Sequence, residues 1–197
     1  MVWHDEENET TRARSTLHVE PRGIRAVTQH YLKDIVYGAS DGLITTFAVV
    51  AGVEGGALSH RAVLVVGCAN LLADGLSMAV GNYLSIRSNE SVRRTQRLPE
   101  EEARPIRHAI ATFLAFALAG AVPLVSYVVP FVPVAARAST ATLFTFIVLF
   151  IVGALRAAVT DDGWLVSGLE MLGLGVAVAV VAFLAGLAVA AVVGGAV

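Results

Sequence analysis

The chain has 197 residues, of which 56% are hydrophobic and 15% charged, with a formal net charge of −2. That composition excludes an ordinary soluble domain, and the charge balance offers no basic bias toward nucleic acid. Most of the charges crowd into residues 1–34 and 87–108, and little of the remainder is charged.

The first ten residues, MVWHDEENET, are acidic and contain no apolar run, so no signal peptide is expected there. Trp3 to Thr16 is polar and expected to be disordered. Its His4, Asp5, Glu6, Glu7 and Glu9 read as a solvated acidic tail rather than a metal site. Ile24–Lys33 mixes apolar and basic residues, which predicts a short interfacial helix leading into the membrane.

A bilayer core is about 30 Å thick and needs about 20 apolar residues to cross it as a helix. Stretches of this kind occur at Asp34–Val53, Ala62–Ile86, Ile106–Val129, Ser139–Ala158 and Trp164–Leu187, the last trailing into an Ala/Val/Gly tail to Val197. They are too long for buried strands and lack alternation, so the expected fold is an all-α membrane protein with five transmembrane helices. Residues 1–33 form the expected N-terminal arm, and 34–197 the membrane domain with a short link at 87–108. Cys68, the single cysteine, cannot form an internal disulfide and reads as a small core residue.

Basic residues orient the helices. With a cytoplasmic N-terminus, twelve fall inside, among them Arg22, Lys33, Arg87, Arg93, Arg94, Arg107 and Arg156; only Arg61 and Arg137 fall outside. The C-terminus is then external. Short connections after spans one, three and four predict antiparallel packing of spans 1–2, 3–4 and 4–5.

Two carboxylates lie where neighbouring residues suit hydrocarbon: Asp41 in YGASDGLITTF and Asp74 in ANLLADGLSMAVGNYL. Each costs about 2.5–3.5 kcal/mol at mid-membrane, and such acids are functional candidates by default. Tyr37, Asp41 and Thr45 share one helix face, as do Asn70, Asp74, Met78 and Asn82. Counting from the inner ends, Asp41 lies roughly 10 Å deep and Met78 roughly 12 Å, with Asp74 about a turn further in. Carboxylate oxygen joined to thioether sulfur suits first-row transition ions, Fe²⁺ among them. A carboxyl group in an apolar surrounding takes a proton when no cation is present, which is the basis of cation/proton exchange. The alternatives are that Asp41 caps a broken helix or bonds a neighbouring hydroxyl, and that Met78 is a packing residue. Gly38 and Gly42 form a GxxxG step flanking Asp41, which suits close helix approach and a symmetric dimer across span one.

These residues resemble a known family. DIVYGASDGLITTFAVVAG, ANLLADGLSMAVGNYLSIRS and, more weakly, SGLEMLGLG are similar to the vacuolar iron transporter family over Tyr31 to about Gly186. The resemblance implies a five-helix protomer in a homodimer with its pathway at the two-fold axis, exporting Fe²⁺ (often Mn²⁺) from the cytosol by proton antiport. The family's helix-one aspartate matches Asp41, and its helix-two methionine matches Met78. Many members carry a Glu- and Met-rich cytoplasmic metal-binding domain between helices two and three. Here only Arg87–His108 stands there, so this chain resembles a short form of the family. Asn70 replaces a frequent glutamate, Asp74 stands where many members have glycine, and Thr46 stands where plant members have proline.

The expected metal residues are therefore Asp41 and Met78, with Asp74 and Asn70 extending the path. Glu100, Glu101, Glu102 and Glu170 are candidates for the cytoplasmic entrance. For the triplet the plainer reading is a solvated helix start after Pro99; for Glu170 it is an ion pair with Arg156. No enzymatic arrangement, permanently bound cofactor or nucleic-acid partner is expected. The expected partners are a second copy, the lipid bilayer, divalent metal ions and protons. Rival readings are transport of Co²⁺, Ni²⁺ or Zn²⁺, and a non-transporting membrane scaffold or sensor. Thirteen Arg against one Lys fits a GC-rich bacterial genome and a plasma membrane, or a vacuolar membrane if the source is eukaryotic.

Overall fold

The computed structural model describes residues 23–157 and 163–194. The acidic N-terminal stretch, residues 158–162 and the last three residues lie outside them. The elements are α1 (Ile24–Gly55), α2 (His60–Thr95), α3 (Pro105–Gly120), α4 (Val122–Val128), a 3₁₀ turn (Val134–Ala136), α5 (Arg137–Arg156) and α6 (Trp164–Gly194). No strand occurs among the described residues. α1, α2, α6 and the segment Val134–Arg156 are each long and apolar enough to cross a membrane; α3 and α4 make a fifth span if taken as one broken helix. The chain is an integral, multi-pass membrane protein.

Several boundaries differ from the expected ones. The segment Ile24–Lys33 is not a separate interfacial helix but the first turns of α1, because no glycine or proline interrupts the chain until Gly38. α2 runs on to Thr95, so the true link shrinks to residues 96–104. It ends where Arg97 takes a left-handed conformation (φ 56°) and Leu98 N–H bonds back to the Arg93 carbonyl. The third span is bent by 45° at Ala121. Pro123 accounts for the bend, since it lacks an N–H and its ring crowds the carbonyl four residues earlier.

α1 is the central helix. It supplies Ala39 and Leu43 to one apolar cluster, with Ala119, Leu149, Val152 and Met171, and Val50 and Val53 to another, with Val63, Leu124, Tyr127 and Ala141. Its broadest contacts are with α3 and α6, whereas spans 1 and 2 touch less than the short connection suggested. Glycine explains the preference. A methyl group on Gly42 would strike the Phe116 carbonyl of α3, and one on Gly55 the Phe183 carbonyl of α6. The Gly38/Gly42 step is therefore filled by α3 of the same chain and is not free for a symmetric dimer. Spans 4 and 5 do pack as expected, with Gly153 of α5 against Ser167 and Met171 of α6.

The outside is apolar. Leu72, Leu76, Val80 and Leu84 of α2 and most large side chains of α6 are exposed, as lipid-facing residues should be. Cys68 is exposed on α2 and is not a core residue, because its position falls on this outer face.

Replacing Gly42 by Ala should lower stability by about 1–3 kcal/mol, because backbone must move to admit the methyl group. The same change at Gly173, which has open space around it, should leave stability unchanged or slightly raised. Thermal unfolding in detergent micelles measures both.

Candidate metal pathway

The polar groups begin at the Arg-rich end of the bundle. Asp34 of α1 is 8% exposed. Its Oδ1 accepts a hydrogen bond from Asn82 Nδ2 of α2 at 2.8 Å, and its Oδ2 lies 2.6 Å from His108 Nδ1 of α3. Asn82 Nδ2 also donates to Thr112 Oγ1 at 2.7 Å, and Thr112 donates to the His108 carbonyl at 2.9 Å. Three helices are thus tied at one level.

That tie sets the register further in. Asp41 lies seven residues beyond Asp34 on α1, roughly 10 Å along the axis. On α2, Met78 lies four residues from Asn82 and Asp74 eight, roughly 6 and 12 Å. Asp41 therefore falls between Met78 and Asp74, nearer Asp74. Both carboxylates are half-buried, on two helices that touch. Asn70, Asp74, Met78 and Asn82 are all partly buried, while Leu72, Leu76 and Val80 between them are exposed, so the polar stripe faces the bundle. The Asn70 amide nitrogen is buried with no hydrogen-bond partner among the described residues. α1 runs unbroken through position 41, so Asp41 caps no helix end.

Below this pair, a cavity of about 330 Å³ opens at the Arg-rich end, lined in part by His30, Asp34, Tyr37, Asn82, Glu102 and His108. Tyr37 stands one turn from Asp41, but Asp41, Asp74 and Met78 are not among the residues lining this cavity. At its rim His108 Nε2 lies 2.9 Å, and His30 Nε2 3.4 Å, from Glu102 Oε2. At the opposite end of α1, Glu54 accepts a hydrogen bond from the Tyr127 hydroxyl at 2.8 Å, with His60 Nδ1 3.8 Å away.

The glutamate triplet does not act as a unit. Residues 101–104 are non-helical, so the acids do not start a helix; α3 begins only at Pro105. Glu100 pairs with Arg94 at 3.0 Å and Glu101 with Arg93 at 3.1 Å, while Glu102 turns to the two histidines. Glu170 pairs with Arg156 at 2.6 Å and lies outside the residues lining the cavity. The residues sequence reasoning missed are Asp34 and His30. The available signal was a carboxylate and a histidine one turn apart at the inner end of span one.

Comparison with known proteins gives a consistent picture. The model of the VIT family matches residues 32–103 and 92–187. A vacuolar iron transporter of Toxoplasma gondii is 44% identical over 71 residues, 36% of this chain and 24% of that one. Vacuolar iron transporter homolog 5 of Oryza sativa subsp. japonica is 34% identical over 110 residues, 51% of this chain and 53% of that protein. Vacuolar iron transporter 1 of Eucalyptus grandis is 27% identical over 210 residues, 77% of this chain and 84% of that protein. The chain thus spans a quarter to about half the length of the first two, with the glycine-lined α1, the polar stripe of α2 and both intramembrane aspartates inside the matched region: it belongs to the VIT family.

Proposed function

We infer that this protein carries a divalent transition-metal cation, Fe²⁺ or Mn²⁺, out of the cytosol in exchange for protons, acting as a homodimer. The observation that supports this reading is that two carboxylates, Asp41 and Asp74, stand half-buried at similar height on neighbouring apolar helices, inward of a polar cavity. Two like charges beside hydrocarbon are unfavourable and need compensation. A divalent cation supplies it, and in its absence protons do. The same pair of groups then binds metal and proton alternately, which couples the two movements without nucleotide hydrolysis. Met78 adds a soft thioether below the carboxylates, and the Asn70 amide adds a polar group beyond them. A set of oxygen and sulfur donors suits first-row transition ions better than Mg²⁺ or Ca²⁺. The relatives' names, vacuolar iron transporter, support iron as the cargo. The Arg-rich end, with its open cavity, is the cytoplasmic face on this reading.

Uptake of Fe²⁺ or Mn²⁺ into inverted membrane vesicles under a pH gradient tests the assignment. Asp41→Ala should lower uptake at least about tenfold, since even partners one step removed from a metal cost 10–100-fold. Uptake equal to wild type would reject the role of Asp41. A protonophore that collapses the gradient should suppress uptake by the wild type; undiminished accumulation would reject proton coupling. Met78→Leu should reduce Fe²⁺ uptake more than Mn²⁺ uptake in a competition series, because Mn²⁺ is the harder ion and depends less on sulfur.

A further inference from the structure

We propose that His30, Glu102 and His108 form a second metal site, a capture site for first-row divalent cations at the mouth of the cavity, with Asp34 as its positioning residue. The inference builds on the transport reading for its purpose, because the site opens on the same cavity, but its chemistry stands on its own geometry.

Three ligand atoms of the right kind converge. One atom from each residue lies within 4.8 Å of the others. Bonds of about 2.0–2.2 Å to a metal put two ligands at most about 4.4 Å apart. The pairs at 2.9 and 3.4 Å already satisfy that limit, and the third needs adjustment of only tenths of an ångström. Two imidazoles and one carboxylate, with room for water, make a donor set suited to Fe²⁺, Co²⁺, Zn²⁺ and Mn²⁺.

Two of the ligands, His108 and Glu102, are also supported from behind. His108 is 4% exposed, and its Nδ1 lies 2.6 Å from Asp34 Oδ2 while its Nε2 faces Glu102 at 2.9 Å. A carboxylate behind a ligating histidine is the usual way a metal site fixes ring orientation. Asp34 is itself held by Asn82. The His108 ring sits against Tyr31 at 4.7 Å and His30 at 5.1 Å between centroids. Glu102 is placed by its own backbone, whose N–H donates to Glu90 Oε1 at 2.9 Å, with the N–H of Glu101 donating to the same atom at 3.0 Å. These supports hold the ligand atoms in place before a cation binds. The ligands come from α1, the 96–104 link and α3, so a bound cation would clamp the link onto the bundle.

The test is a Co²⁺ titration of the full chain in lipid nanodiscs, followed by visible absorption. It is made in an Asp41→Ala background, so that the membrane-depth pair does not contribute. That protein should bind one Co²⁺ per protomer with the d–d bands of nitrogen ligation. Adding Glu102→Gln should weaken binding by about tenfold or more, and Asp34→Asn by about 10–100-fold with a changed spectrum. Glu102 is on a partly exposed link, so its variant should keep the helical fold, checked by circular dichroism; His30→Gln is the second variant. Unchanged affinity and spectrum in both Glu102→Gln and His30→Gln would overturn the site, as would no Co²⁺ binding in the Asp41→Ala protein. Co²⁺ binding as expected without ion flux in vesicles would sink the transport reading alone.

Discussion

One buried carboxylate organises this bundle. Asp34 joins α1 to α2 through Asn82 and α1 to α3 through His108, and Asn82 closes the triangle onto Thr112. Hydrogen bonds to charged groups contribute about 1.5–3 kcal/mol each, more than neutral ones. Apolar packing alone would let lipid-facing helices slide, since a leucine finds similar company in lipid and protein. The polar tie has direction and so sets the axial register. From that register follow the similar heights of Asp41 and Asp74 about two turns further in, and the position of His108 beside Glu102 at the rim.

Close approach of the helices is the second requirement. Asp41 is flanked by Gly38 and Gly42, and both glycines admit the backbone of α3. The backbone of α3 is thus held close to α1 at the level of Asp41, which is itself half-buried.

The spans were legible because each is a long apolar run. The bend at Ala121 was signalled by Pro123 but hidden by unbroken hydropathy. The ties of Asp34 were not legible, because its partners lie 48 and 74 residues away in sequence and no periodicity joins them. The roles of Glu100, Glu101 and Glu102 could not be separated either. Which acid meets arginine and which meets histidine depends on how α2 ends, and that rests on Arg97 in a left-handed conformation that few sequence rules anticipate. Cys68 shows the opposite failure: an apolar neighbourhood means core in a soluble protein and means little in a membrane, where the outside is apolar too.

The short link shows how few residues can serve at the mouth of such a bundle. Glu90, 5% exposed near the end of α2, accepts both the Glu101 and Glu102 N–H groups. Arg93 Nε donates to the Pro99 carbonyl at 3.0 Å, so the chain is held at both ends of the acidic triplet. A loop closed this tightly loses its conformational entropy on folding, not on ligand binding. Glu102 therefore stands over His108 before any cation arrives. Preorganisation of this kind lets a nine-residue connection present a carboxylate to two histidines, where a freely moving link would have to order itself each time.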